Sequence, residues 1–343
     1  MISLDDEALV DTYGRRLAFD APVNALVWIG DMAWFACGDG HAHRVSFAAE
    51  RKTVAAHKGA ILCATAHPDG QSLLTGGDDG RLVRLTSDGD VGEIGGFGRY
   101  WVEHVVASPQ SGLIVAAVGK EAVIWKQGQR EAAHRHGYSS TVGGLALDAK
   151  GKRLAATHYG GATLSYASSA DSSRTELKWG GSHLACTMSP DGGYLVSAMQ
   201  ETGLHGWKLP QMVDMAMNGY QAKTRSFSWS RRGKWLATSG DNSVIVWPFE
   251  GKTGPLGKRP VTRGALGALV TKVACHPFDE IIAAGYADGA VALLRIGDDS
   301  FALVQAADGK AVSALAWSAD AETLAWGTEG GSGGLLAMNT LPR

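Results

Sequence analysis

The stretch Ala64-Thr65-Ala66-His67-Pro68-Asp69-Gly70-Gln71-Ser72-Leu73-Leu74-Thr75-Gly76-Gly77-Asp78-Asp79-Gly80 holds a turn, a short apolar run and a second turn. Pro, Asp and Gly each favour a turn for a different backbone reason, and the run between the turns has the length of a buried strand. Thr187-Met188-Ser189-Pro190-Asp191-Gly192-Gly193-Tyr194-Leu195-Val196-Ser197 repeats the theme, as does Val273-Ala274-Cys275-His276-Pro277-Phe278-Asp279-Glu280-Ile281-Ile282-Ala283-Ala284-Gly285. With the turn Pro as marker, equivalent positions are Gly30, Pro68, Pro109, Ala149, Pro190, Arg231, Pro277 and Ala319, spaced 38 to 46 residues apart. That is the length of a four-stranded propeller blade, longer than an ankyrin or tetratricopeptide unit.

Apolar residues recur on both sides of every marker. Four positions before it stand Leu26, Ala64, Val105, Leu145, Cys186, Phe227, Val273 and Leu315, and five after it Phe35, Leu73, Ile114, Leu154, Leu195, Leu236, Ile282 and Leu324. A third strand carries Val45, Leu85, Trp125, Tyr166, Trp207, Trp247, Leu294 and Leu336. Pairs such as Asp39-Gly40, Asp79-Gly80, Gly160-Gly161 and Asp288-Gly289 supply the positive φ of the tight hairpins between them. After the last marker the chain is too short for an outer strand, whereas 13–19 reads as an orphan one. The pattern predicts an all-β, closed eight-bladed β-propeller of four-stranded antiparallel blades, with seven blades as the alternative. The strand at 13–19 is expected to pair with 335–338 and close the last blade. Residues 1–11 are expected to be a tail, and 12–343 a single propeller.

The Ser-Pro-Asp-Gly type turns, the small-residue strand Leu236-Ala237-Thr238-Ser239-Gly240, and Asp241 followed by Trp247 resemble the WD40-repeat family of β-propellers across nearly the whole chain. The repeats are degenerate. No Trp-Asp dipeptide ends a copy, since Lys126, Lys208 and Pro248 follow Trp125, Trp207 and Trp247. The family's Gly-His pair survives as Ala56-His57, so its His, Ser/Thr, Asp and Trp hydrogen-bond network is expected to be mostly lost. The resemblance implies a non-catalytic scaffold that binds a protein or peptide on a propeller face, and the Ala- and Gly-rich copies read as bacterial in style.

Composition narrows the classes of function. Hydrophobic residues at 45% and charged residues at 19% describe a cored globular chain, and Lys+Arg 32 against Asp+Glu 34 gives no electrostatic reason to expect nucleic acid. No apolar run is long enough to span a membrane, and Met1-Ile2-Ser3-Leu4-Asp5-Asp6-Glu7 lacks a secretory pattern, so a cytoplasmic monomer is expected. Cys37, Cys63, Cys186 and Cys275 lie far apart in strand patterns and read as reduced core residues.

Candidate partner-binding residues near the mouth of the propeller are Tyr100, Trp101, Glu103, His104, Tyr138, Tyr159, Tyr220, Arg225, Lys272 and Tyr286, because aromatic residues and Arg dominate binding hot spots. The basic insertion 251–264 is a candidate docking loop for an acidic partner, through Lys258, Arg259 and Arg263. Metal binding, zinc above all, is the alternative. His41 with His43 and His134 with His136 are two apart and share a strand face, though no zinc-type spacing accompanies them. A propeller enzyme ranks third: there is no Gly-x-Ser-x-Gly elbow in a strand-to-helix setting and no phosphate loop, and Glu103 is the lone inner-strand carboxylate. No catalytic residue and no cofactor is expected.

Overall fold

The computed structural model describes residues 8–48, 51–171 and 173–341. Residues 1–7, which include the stretch read above for a secretory signal, lie outside the described residues. A short helix α1 (Leu9–Tyr13) leads into β1 (Gly14–Ala18). One sheet follows from β2 (Val23–Ile29), β3 (Met32–Cys37), β4 (His41–Val45) and β5 (Lys52–Ala55), and another from β6 (Ile61–Ala66), β7 (Leu73–Gly77), β8 (Arg81–Leu85) and β9 (Val91–Gly96). A third holds β10 (Val102–Ser108), β11 (Leu113–Val118), β12 (Glu121–Lys126) and β13 (His134–Gly137). The next is six-stranded: β14 (Gly144–Leu147), β15 (Arg153–Tyr166), β16 (Thr175–Met188), β17 (Tyr194–Met199), β18 (Leu204–Lys208) and β19 (Val213–Met217). Four-stranded sheets return with β20 (Phe227–Trp229), β21 (Trp235–Thr238), β22 (Val244–Pro248) and β23 (Val261–Arg263), then β24 (Val270–Cys275), β25 (Ile281–Tyr286), β26 (Val291–Arg295) and β27 (Phe301–Gln305). The last contains β28 (Val312–Trp317), β29 (Thr323–Thr328), β30 (Ser332–Ala337) and, at its edge, β1.

The described strands therefore form seven sheets, and the expected count of eight four-stranded blades is corrected to seven, six of them four-stranded and one six-stranded. The physical reason lies in β15 and β16, each 14 residues long. Their hydrogen bonding runs unbroken from β14 to β19, so repeats four and five share one sheet. β15 folds back at Gly160-Gly161, which both have positive φ, and Ala167 N–H donates to Lys152 O at 2.8 Å. The start of β16 pairs with β15 and its end with β17.

The chain divides into two compact units, one of 1–37, 44–51 and 220–343, the other of 38–43 and 52–219. In both, the apolar repeat positions carry the core. Phe35, Leu73, Ile114, Leu154, Leu195, Leu236, Ile282 and Leu324 are all buried. Continuous burial on both faces explains why these second strands lack alternation. Tyr166 is the exception on the third strand: it is exposed and Ala167 is buried instead. The turn chemistry also repeats. Asp69 accepts hydrogen bonds from Gln71 N, Ser72 N and Ser72 Oγ, and Arg84 lies 2.6 Å away. Burial opposes ionisation of Asp69, but these bonds and His67 outweigh it and hold the carboxyl at about 2. Asp191 and Asp320 accept from backbone N–H groups two residues on and from the serines two residues before.

A β-bulge recurs near the start of five strands, at Val23/Ala25, Ile61/Cys63, Val102/His104, Val270/Lys272 and Val312/Ala314, and where β16 begins to pair with β17, at His183/Ala185. Bulges re-aim side chains and leave one residue outside the ladder. In the first unit those extra residues tie neighbouring sheets: Thr271 Oγ1 donates to Val312 O at 2.7 Å and Ser313 Oγ to Val23 O at 2.5 Å. The three half-buried thiols are all pushed up by burial, Cys63 and Cys186 to about 12 and Cys275 to about 11, which makes them poor nucleophiles.

Candidate functional site

The junction of β15 and β16 is the most distinctive surface of the second unit. Tyr159 pairs with Ser182 and Gly161 with Lys178, so Trp179, Gly180 and Gly181 together oppose Gly160. This wide bulge opens a groove of about 480 Å³ lined by Tyr159, Gly160, Glu176, Lys178, Trp179 and Gly180, among others. A Cβ at Gly160 or Gly180 would meet nothing within 4 Å, so bare backbone is presented to the groove. Tyr159 is 69% and Trp179 39% exposed, which is unusual for large apolar rings.

Behind Trp179 lies a buried stack. The His205 ring lies 3.8 Å from that of Trp179 at 17°, and meets Trp207 edge-on at 4.8 Å. His205 is fully buried and its ring nitrogens have no hydrogen-bond partner among the described residues, Asp214 approaching only to 3.5 Å. Burial lowers its pKa from 6.5 to about 4, with Asp214 opposing and His183 adding to the shift. His183 is held by Ser197 Oγ at 2.7 Å and by Trp179 O at 3.1 Å, which fixes the backbone of the bulge. On the other flank, Tyr138 lies 5.9 Å from His158, with Arg174 over its ring at 5.9 Å. Burial pushes the Tyr138 phenol up to about 12, and its oxygen is unpartnered.

Of the residues singled out by sequence, Tyr159 lines the groove with His158, and Tyr138 packs against the His158 ring. Tyr100 and Trp101 are exposed, with Arg99 over the Tyr100 ring. Glu103 is exposed as the extra residue of the β10 bulge, and His104 after it is half-buried, its pKa lowered by burial against the pull of Glu103. Arg225 is exposed and Lys272 half-buried. Tyr220 and Tyr286 are buried, and Tyr286 OH donates to Gly264 O at 2.7 Å. In the basic loop, Arg259 is exposed, Lys258 Nζ donates to Glu250 O, and Arg263 is anchored on Ile296 O and Asp299. His41 Nδ1 lies 3.2 Å from Asp39, and His43 Nδ1 2.9 Å from Thr53 Oγ1. His134 Nε2 and His136 Nε2 bond Ala167 O and Ser169 O. Sequence reasoning did not join Trp179, His158 and His205 to the site; the Trp179-Gly180-Gly181 run inside a strand pattern was the available signal.

Two buried networks bear on the family. His57 bonds Asp79 Oδ1 at 2.8 Å through Nδ1 and Thr75 Oγ1 at 2.9 Å through Nε2. In the first unit, Trp247 Nε1 donates to Tyr220 OH (2.7 Å), Tyr220 OH donates to Thr238 Oγ1 (2.8 Å), and Thr238 Oγ1 donates to Ile245 O (2.9 Å). The family model for the WD domain, G-beta repeat, matches residues 49–83 and 215–248, the two segments that hold these networks. These two segments are WD40-type repeats. In the second matched WD40 repeat Tyr220 stands where the first has His57, so the network survives in altered form. No curated protein matches the sequence. Solved structures match widely, 1822 chains in all, which makes the fold itself a poor guide to function. One of them, the computationally designed Ika8 protein in a P63 crystal packing, has a TM-score of 0.78 over 95% of this chain and 100% of its own. At 15% identity that likeness shows the fold alone.

Tyr220→Phe is expected to destabilise the protein by about 2 kcal/mol, because Trp247 Nε1 loses its acceptor in a buried site. Urea unfolding of the variant checks it; a change below about 0.5 kcal/mol would show that the relay contributes little.

Proposed function

We propose that this chain is a non-catalytic scaffold that binds a peptide segment of a protein partner in the β15–β16 groove, with Tyr159 and Trp179 as anchors. The observation that carries the reading is two large exposed aromatic rings lining a groove with open glycine backbone between them. Aromatic rings give a peptide apolar contact at low entropic cost, and free backbone N–H and C=O groups pair with an extended chain. Glu176 and Lys178 offer one charge of each sign, so orientation rather than net charge is selected. Among the described residues no helix is long and apolar enough to cross a membrane. WD40 propellers are typically scaffolds, which agrees with this role.

The test starts from peptides selected on the intact chain by phage display. Their affinities are then measured by calorimetry on Tyr159→Ala, Trp179→Ala and, as control, the exposed Tyr166→Ala. Each groove substitution is expected to weaken binding about tenfold or more, the scale of a hot-spot aromatic, and Tyr166→Ala to leave it unchanged. Unaltered affinity in the Tyr159/Trp179 double variant would move the site elsewhere, with Tyr100 and Trp101 next in order.

A further inference from the structure

The first unit holds two neighbouring side-chain cations, Arg225 and Lys272, that no hydrogen bond or ion pair among the described residues engages. Ser226 Oγ accepts from Val273 N–H at 3.1 Å and donates to Val273 O at 3.4 Å, and Ser228 Oγ accepts from Cys275 N–H at 2.8 Å. These bonds lay β20 alongside β24 with one residue facing one, which brings Arg225, just before Ser226, beside Lys272, just before Val273. Both backbones are fixed. Ser239 Oγ accepts from the N–H groups of Arg225 and Ser226, each at 3.1 Å, and Thr271 is pinned by Gly285 O and Val312 O.

Among the described residues, no hydrogen bond or ion pair reaches the Lys272 ammonium or the Arg225 guanidinium, although Lys272 is half-buried. Burial first, and the Arg225 charge second, hold the Lys272 pKa below its usual range, with Glu329 opposing them. A partly desolvated ammonium beside a like charge is an unfavourable arrangement unless an anion completes it. Two cations and one carboxylate leave a single positive charge, which one further carboxylate would cancel and a phosphate dianion would overshoot. The guanidinium fork suits a carboxylate's two oxygens, and the ammonium accepts the contact as a point charge.

The geometry points to Arg225 and Lys272 as a docking site for one carboxylate of an acidic peptide. The site belongs to a different unit from the aromatic groove and stands or falls independently of it.

The experiment uses the full chain with 13C-labelled lysine, the Lys272 Cε signal being assigned by its loss in Lys272→Met. Lys272 is expected to titrate below the other lysines. The tripeptide Ac-Gly-Asp-Gly-NH2 is expected to raise its midpoint, and Ac-Gly-Asn-Gly-NH2 to leave it unchanged. In Arg225→Gln the midpoint should rise without peptide, and the Asp peptide should no longer move it. The inference is overturned if the Asp peptide does not shift Lys272, if its effect persists in Arg225→Gln, or if inorganic phosphate shifts the signal where the Asp peptide does not.

Discussion

Removing residues 1–20 is expected to lower the melting midpoint by about 10 °C or more in a single cooperative transition. The segment supplies β1, whose five residues pair with β30 from Gly14↔Leu336 to Ala18↔Ser332. It also supplies the buried Val10 and Phe19; the Phe19 ring sits 4.8 Å from that of Phe35, and Arg51 covers it at 5.6 Å. Burying each of those two side chains contributes about 2 kcal/mol, and each ladder hydrogen bond about 1 kcal/mol. A loss of that size is a large part of the roughly 5–15 kcal/mol that holds a domain folded. The failure spreads because β28, at the opposite edge of the same sheet and three strands in from β1, is tied to the first sheet through Ser313 Oγ with Val23 O and through Trp28 Nε1 with Ala316 O at 3.1 Å. Calorimetry decides the matter. An unchanged midpoint, or a second independent transition, would show that β1 is an ornament on an already complete sheet.

Stability is also expected to fall steeply as pH drops from about 6.5 to about 4. Burial holds six histidines, His67, His104, His136, His183, His205 and His276, below their ordinary value, and His205 reaches about 4. In the unfolded chain these rings take up protons near pH 6.5, whereas the folded chain resists until lower pH. The unfolded state therefore binds more protons across that window, and the stabilisation present above pH 6.5 is lost as pH falls. For His205 alone the loss amounts to about 3 kcal/mol, and it is complete near pH 4. Carboxylates such as Asp69 add their own loss only lower, between their ordinary range and about 2. Urea unfolding at pH 7, 5.5 and 4 measures the slope. His205→Phe keeps a ring between Trp179 and Trp207 and should flatten the slope by that share; an identical slope in the variant would remove His205 as a cause. Trp179→Ala admits water to the His205 ring, so the His205 pKa read by NMR should rise toward 6.5.

The repeat was legible because burial leaves a chemical trace at every copy. Leu73 and its seven equivalents had to be apolar to fill the space between sheets, and their spacing needed no coordinates. The turn aspartates were legible for a similar local reason, since a carboxylate two or three residues from its backbone donors acts within the turn itself. The number of sheets was not legible. Gly160-Gly161 reads as an ordinary hairpin, and nothing in the composition of Thr175–Met188 says that its two ends pair with different strands, β15 and β17, within one six-stranded sheet.

The candidate site was half legible. Tyr138 and Tyr159 were read as surface aromatics, and Tyr138 lies against His158 while Tyr159 is exposed beside it in sequence, but Tyr220 and Tyr286 carry the same side chain and are buried. A tyrosine's amphipathic character serves either place. Only the position of Thr238 and Trp247 around the Tyr220 oxygen shows which one it takes. His205 is the reverse case, a polar residue in strand alternation whose burial depends on Trp179 and Trp207 closing over it from both sides.

By itself the sequence determined an all-β chain of repeated antiparallel strands, with an N-terminal strand left over to complete the last sheet. Those are consequences of local backbone preference and of which residues avoid water, and each is written within about ten residues. Only the tertiary structure decided how many sheets the repeats share, which tyrosines reach solvent and which cations stand side by side. Those depend on hydrogen bonds and charges between residues far apart in the chain, and no local pattern encodes that proximity.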